Sequence, residues 1–145
     1  MVLVLSRKST IAWFKLADLV ERKEKERALT IYRLLVHSLN DFAYRAQLEG
    51  DLLAAFNDAR AIESYRRAAL IYEKSDRLFS AALVYEQIAL LHGSREQSSE
   101  NLKRAYELYQ LLGATNKAVH CIDALARLAD PVSEIKSEPL QQIQL

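Results

Sequence analysis

Five of the seven tyrosines in the chain follow an alanine by four residues. These pairs are Ala28/Tyr32, Ala61/Tyr65, Ala68/Tyr72, Ala81/Tyr85 and Ala105/Tyr109. Alanine is roughly one residue in seven, so about one such pair is expected by chance. On an α-helix, residues four apart lie on one face, and a small residue beside a large ring lets a second helix approach closely. The spacing therefore predicts closely packed helices that share one packing pattern.

The composition supports an all-α protein. Half of the 145 residues are hydrophobic, 27% are charged, and there are only three glycines and two prolines. A net charge of +1 gives no electrostatic reason to expect a nucleic-acid partner. No apolar run approaches the roughly 20 residues of a membrane span, so we expect no membrane insertion. The single cysteine fits a reducing compartment. We therefore expect a soluble, intracellular protein of the cytoplasm.

Polar and breaker residues divide the chain into seven predicted helices. The first is capped by Ser9 or Thr10 and is followed by helices from about Glu24 to Leu39, Asn40 or Asp41 to Phe56, Ala59 to Lys74, Arg77 to His92, Ser94 to Gly113, and Thr115 or Asn116 to Pro131. Short connections make successive helices antiparallel neighbours. Gly50 lies inside a helical pattern, where it permits a close helix crossing.

The boundary between the first two helices is the least defined. Glu21 to Arg27 are seven consecutive charged residues, and two helical turns without an apolar residue do not fit the interior of a packed hairpin. The turn is placed here. A single long helix running to Ser38 is the alternative, because no Gly or Pro enforces a break.

An internal repeat with an offset of 37 residues joins two helix pairs. Tyr65, Ala68, Tyr72, Ala81 and Tyr85 have the same spacing as Leu102, Ala105, Tyr109, Ala118 and Ile122. Trp13, Leu16, Ala17 and Val20, with Ala28 and Tyr32, look like another unit that is one residue short. The pattern resembles the tetratricopeptide repeat family. This resemblance implies an all-α fold of antiparallel hairpins stacked as a short right-handed solenoid; an ordinary helical bundle is the alternative. The repeat domain is predicted to span residues 1–130, and residues 131–145, which contain both prolines, form a flexible tail.

The resemblance also implies a concave groove that holds a peptide or helix of a partner protein. The residues beside the packing positions of the two repeats would line it. They are Glu63, Arg66, Leu70 and Glu73 in the first repeat and Lys103, Glu107 and Gln110 in the second, together with Glu100. Arg66 and Lys103 would grip a carboxylate or phosphate. The alternative is an ordinary solvated face with pairs such as Lys103/Glu107.

The predicted function is a non-enzymatic interaction module, an adaptor or scaffold. The alternative is self-association into a homo-oligomer through exposed terminal helices, since the first helix, with Trp13 and Phe14, is apolar for a capping element. We expect no catalytic residue, metal or cofactor. His37, His92 and His120 form no metal-ligand spacing, and Cys121 is interpreted as a small buried hydrophobic residue.

Overall fold

The computed structural model describes residues 7–91 and 93–129, and these residues form seven α-helices and no strand. The helices are α1 (Arg7–Glu21), α2 (Lys25–Val36), α3 (Phe42–Ala55), α4 (Ala61–Lys74), α5 (Leu78–Leu91), α6 (Arg95–Leu111) and α7 (Thr115–Ala129). The prediction of an all-α fold with seven helices is confirmed. Residue 130 and the predicted tail, 131–145, lie outside the described residues.

The helices fall into two compact units. The first extends to Ile71 and holds α1, α2, α3 and most of α4; the second begins at Tyr72 and holds the end of α4 with α5, α6 and α7. Within the first unit α1 packs on α2, and within the second α6 packs on both α5 and α7. Packing between consecutive helices is consistent with a helical-hairpin solenoid.

Two predicted helix caps are present. The Asp41 carboxylate accepts hydrogen bonds from the backbone N–H groups of Ala43 (3.1 Å) and Tyr44 (3.2 Å), and the Ser94 hydroxyl accepts one from Gln97 (3.2 Å). Each cap satisfies N–H groups that the first helical turn leaves without a partner.

Three other boundaries differ from the prediction. The first helix already includes Arg7, the first described residue, and so extends before the predicted cap at Ser9 or Thr10; arginine and lysine have good helix propensity. The fourth helix begins at Ala61 rather than Ala59. The second helix ends at Val36 rather than Leu39, since the N–H of Leu39 bonds the carbonyl of Val36 in a tighter turn.

One turn geometry ends four of the helices. Lys23, Asn57, Asp76 and Gly113 all have positive φ, between 55° and 68°. In each case the next residue donates its N–H to a carbonyl five residues back: Glu24 to Leu19, Asp58 to Leu53, Arg77 to Tyr72 and Ala114 to Tyr109. This is the hydrogen bond of the Schellman motif, which closes a helix C-terminus. The turn predicted within 21–27 is therefore real, and Lys23 forms it without a glycine.

Four of the five alanine–tyrosine pairs lie in the core, and in the fifth Ala81 is buried while Tyr85 is half-buried. All five alanines are at most 1% exposed, and the rings of Tyr32, Tyr65, Tyr72 and Tyr109 are buried. Gly50 on α3 faces Tyr65 on α4 so closely that a Cβ atom there would lie 2.6 Å from Cδ1 of the ring. The close helix crossing expected at Gly50 is confirmed.

Three of these tyrosines also bond a carboxylate on the preceding helix. The hydroxyl of Tyr65 donates to Asp51 at 2.5 Å. The hydroxyls of Tyr85 and Tyr109 donate to Glu73 (2.7 Å) and Glu86. Burial, and then the bond to the carboxylate, raises the pKa of all three hydroxyls, that of Tyr85 to about 12. These bonds join α4 to α3, α5 to α4 and α6 to α5, and we call them the hydroxyl–carboxylate bonds.

Candidate functional site

The first unit contains a groove between α2 and α4, with α3 beneath it. Two adjoining cavities of about 280 and 350 Å³ make up this groove, and they share Tyr32, Glu49 and Arg67. The first is also lined by Leu29, Arg33, Leu53, Arg60, Glu63 and Ser64, and the second by Val36, Phe42, Arg45, Ala46 and Ile71. Ser64, Arg67 and Ile71 of α4 follow spacings of three and four, which place them on one face of that helix, and Arg60 immediately precedes α4.

An ion pair spans the middle of the groove. Nη2 of Arg67 lies 2.8 Å from Oε2 of Glu49, and the same nitrogen lies 3.4 Å from the hydroxyl of Ser64, which is buried. Beside this pair the Tyr32 hydroxyl donates to the backbone carbonyl of Arg45 at 2.7 Å. Burial and the charge of Glu49 raise the pKa of Tyr32 to about 12. The pair therefore separates the two cavities with side chains that are already held in place.

The first cavity has arginines on two sides and also contains the carboxylates of Glu49 and Glu63. Just before α4, Arg60 is bound at 2.7 Å by Asp58, which also binds Lys25 at the start of α2 at 2.8 Å. The hydrogen bond from Arg60, followed by that from Lys25, holds the pKa of the Asp58 carboxyl well below its usual range. On α2, Arg33 is exposed and makes no hydrogen bond or ion pair with the described residues, and the same holds for Glu63 on α4.

The second cavity is mainly apolar. Val36, Ala46 and Ile71 lie along it, and the ring of Phe42 stands at its edge, 66% exposed. The Arg45 guanidinium lies 4.9 Å from the centre of that ring, and its Nε donates to the carbonyl of Leu39. The groove thus combines a charged half and an apolar half.

The predicted groove residues of α4 are only partly at this site. Glu63 lines the first cavity. Arg66 and Leu70 are exposed on α4, Leu70 by 53%, and they do not line either cavity. Of the two arginines that do line it, Arg67 lies on the α4 face that includes buried Ser64, and Arg60 immediately precedes α4. The spacing of the tyrosines alone did not identify either arginine.

Three of the predicted residues of the second unit, Glu73, Glu107 and Gln110, are bonded to neighbouring side chains that were not predicted. Glu73 accepts the Tyr85 hydroxyl and is paired with Arg104, which also binds Glu107 at 2.9 Å. Lys103 is exposed. Gln110 donates to the hydroxyl of Tyr106 at 2.5 Å. Arg104 was missed from the sequence; its spacing of three from Glu107 is a usable signal, whereas its pairing with Glu73 depends on tertiary packing.

The residues predicted for self-association are both at least partly accessible. Phe14 is 73% exposed on α1, and Ile11, one turn before it, is 67% exposed. Trp13 is half-buried.

Residues with catalytic or metal-binding chemistry are dispersed in the described part of the chain. No three His, Cys, Asp or Glu side chains there form a group that could hold a metal ion. Cys121 is fully buried, as predicted, and burial raises the pKa of its thiol to about 11. The side chain of His92 is outside the described set. In the described ranges, no helix combines the length and the apolar character needed to cross a membrane.

Comparison with protein-family models, curated proteins and solved structures finds no significant match to this chain.

Proposed function

We propose that this chain is a non-enzymatic protein-interaction module, an adaptor or scaffold, that binds a peptide segment of a partner protein in the groove of the first unit. The observation that carries the proposal is the two-part groove itself. The side chains of Arg60 and Arg67 are held by Asp58 and Glu49, whereas the exposed side chain of Arg33 would be ordered by the ligand. The resemblance to tetratricopeptide repeats, whose grooves hold peptides, supports the same function.

The charges of the groove indicate what kind of peptide fits. Arg60 and Arg67 already have carboxylate partners, whereas Arg33 has none among the described residues. A partner carboxylate placed in the first cavity would gain a bidentate bond to Arg33, with the Glu63 carboxylate of the same cavity as the opposing charge. The neighbouring cavity accepts an apolar side chain beside Phe42 and Ile71. The proposed ligand therefore has an acidic residue close in sequence to a large apolar one.

A displayed peptide library, selected on the full chain, tests this function. We expect enrichment of peptides in which Asp or Glu lies near a large apolar residue. Affinity for a selected peptide should fall about tenfold, or ~1.4 kcal/mol, in Arg33→Glu, and it should also fall in Phe42→Ala. Arg66→Glu is the matched control because it makes the same charge change on an exposed arginine outside the groove. Equal affinity for the parent, Arg33→Glu and Phe42→Ala would refute the groove as the binding site.

A second candidate function is self-association through α1, favoured by the exposure of Ile11 and Phe14 side by side on one face. Sedimentation at increasing concentration tests it. A mass that rises with concentration in the parent and not in Phe14→Asp supports self-association, and a constant monomer mass contradicts it.

A further inference from the structure

The last helix of the described chain repeats the internal helix α5 at the offset of 37 residues. Ala81 and Val84 of α5 correspond to Ala118 and Cys121 of α7, and all four are buried. The inward faces of the two helices are therefore both buried. The adjacent face of each helix, in contrast, differs in burial between α5 and α7.

On α5 that adjacent face is covered by α6. It consists of Phe79, Ala82, Glu86 and Ala89, with spacings of three, four and three. The ring of Tyr109 on α6 meets Phe79 edge-on, with centroids 5.7 Å apart, and its hydroxyl donates to Glu86. The Ser98 hydroxyl of α6 donates to the carbonyl of Ala89 at 2.8 Å. As a result Ala82 is 0% and Ala89 is 9% exposed.

On α7 the corresponding residues are uncovered by the described part of the chain. We call them the α7 stripe: Asn116, Val119, Asp123 and Ala126. All four are exposed, Val119 by 49%. Asp123 takes the position of Glu86 and has no hydrogen bond or ion pair with the described residues. The stripe thus keeps a carboxylate and an alanine at the positions of Glu86 and Ala89, while Val119 and Asn116 stand at the positions of Ala82 and Phe79.

We infer that the α7 stripe is the docking site for an amphipathic helix of a partner protein that carries a tyrosine four residues after an alanine, as Ala105 and Tyr109 do on α6. The tyrosine hydroxyl of the partner helix donates to Asp123, and the alanine of the partner helix allows close approach at Val119 and Ala126. Beside the stripe, a cavity of about 300 Å³ between α6 and α7, lined in part by Val119 and Ile122, leaves room for a further apolar side chain.

The alanine–tyrosine pattern required of the docked helix favours a separate protein as the source of that helix. Residues 131–145 contain no tyrosine or other aromatic residue. In a second copy, the tyrosines of the five alanine–tyrosine pairs are occupied in the core or in hydroxyl–carboxylate bonds. The two remaining tyrosines, Tyr44 and Tyr106, follow Asn40 and Leu102 by four residues rather than an alanine.

A synthetic peptide of residues 94–114 is the probe, because α6 already fits the equivalent face of α5. Its binding to the full-length chain is measured by fluorescence polarisation and by mapping amide shifts. We expect the shifts to centre on α7, with affinity at least tenfold weaker for Val119→Asp and for the Tyr109→Phe peptide. Leu34→Asp is the control, because Leu34 is 71% exposed on α2, in the first unit.

Three results would overturn the inference. One is absence of binding to the parent chain, or equal binding to the parent and Val119→Asp. Another is a concentration-dependent mass of the parent that Val119→Asp abolishes, which would assign the stripe to a second copy. The third is a change in the amide resonances of residues 131–145 caused by Val119→Asp without peptide, which would assign the stripe to that segment.

Discussion

Gly50 and Tyr65 are in contact across the α3–α4 crossing, and the ring occupies the space that any larger residue at position 50 would need. The three ring atoms nearest to a Cβ placed there are 2.6 to 2.9 Å away. The same ring donates its hydroxyl to Asp51, the residue after Gly50, so it cannot move aside without straining that bond. Close approach and hydrogen bonding thus fix the same crossing.

We predict that Gly50→Ala destabilises the chain by about 1–3 kcal/mol, the usual cost of overpacking a core, despite the better helix propensity of alanine. Urea unfolding followed by circular dichroism measures this. Gly93→Ala is the control, since a Cβ at Gly93 would have no atom within 4 Å. Equal stability of Gly50→Ala and the parent would mean that α3 and α4 can separate enough to accommodate a Cβ atom at position 50.

Asp76 and Gly113 occupy equivalent positions of the repeat and form the same turn, with φ of 60° and 68°. We predict that Asp76→Gly stabilises the chain by roughly 0.5–1 kcal/mol and that Gly113→Asp destabilises it by about 1 kcal/mol, because only glycine adopts positive φ without strain. Thermal unfolding of the two single variants and of the exchanged pair measures this. Shifts of the same sign in both single variants would contradict the explanation.

Tyr109→Phe should destabilise the second unit by about 1–3 kcal/mol, because it removes the hydrogen bond to Glu86 and leaves that carboxylate with Lys117 at 3.9 Å. Tyr106→Phe is the matched control, since the Tyr106 hydroxyl accepts its hydrogen bond from Gln110, an exposed side chain. Chemical unfolding compares the two. A cost for Tyr106→Phe as large as that for Tyr109→Phe would show that the Glu86 bond contributes nothing specific.

Alkaline pH should weaken the fold through Tyr85. Its pKa is raised from 10.0 to about 12, so the neutral hydroxyl is favoured in the folded state. Its contribution to stability is complete below pH 10 and is lost as the pH rises through about 12. Tyrosinate absorbance and helicity, recorded together over this range, measure the loss. It should be smaller in Tyr85→Phe than in Tyr44→Phe, whose ring is 43% exposed; identical profiles would contradict this role for Tyr85.

The helices and their tight contacts were largely predictable from the sequence because they depend on local spacing. Alanine–tyrosine pairs four residues apart define a packing face, and the caps at Asp41 and Ser94 need only the next three residues. The turn at Lys23 was located from its charge, but its positive φ was not foreseen because lysine has no preference for that geometry.

The candidate site was less predictable because it depends on tertiary pairing. Glu63 was identified as a groove residue, whereas Arg33 was not. Nothing in the local sequence shows that Arg60 and Arg67 would be engaged by Asp58 and Glu49 while Arg33 has no partner among the described residues. The likeness of α7 to α5 was visible in the sequence as a repeat. The α7 stripe could be recognised only once the structure showed that Ala82, at the equivalent position of α5, is buried.

The hydroxyl–carboxylate bonds have a consequence for folding speed. They close over 14, 12 and 23 residues, each between one helix and the helix before it. The chain therefore gains stabilising contacts without first closing long loops, and the entropy lost before each contact is small. Helical proteins with such local contacts fold in roughly microseconds to milliseconds, and we expect this chain to do so, adding helices one at a time to whichever pair forms first.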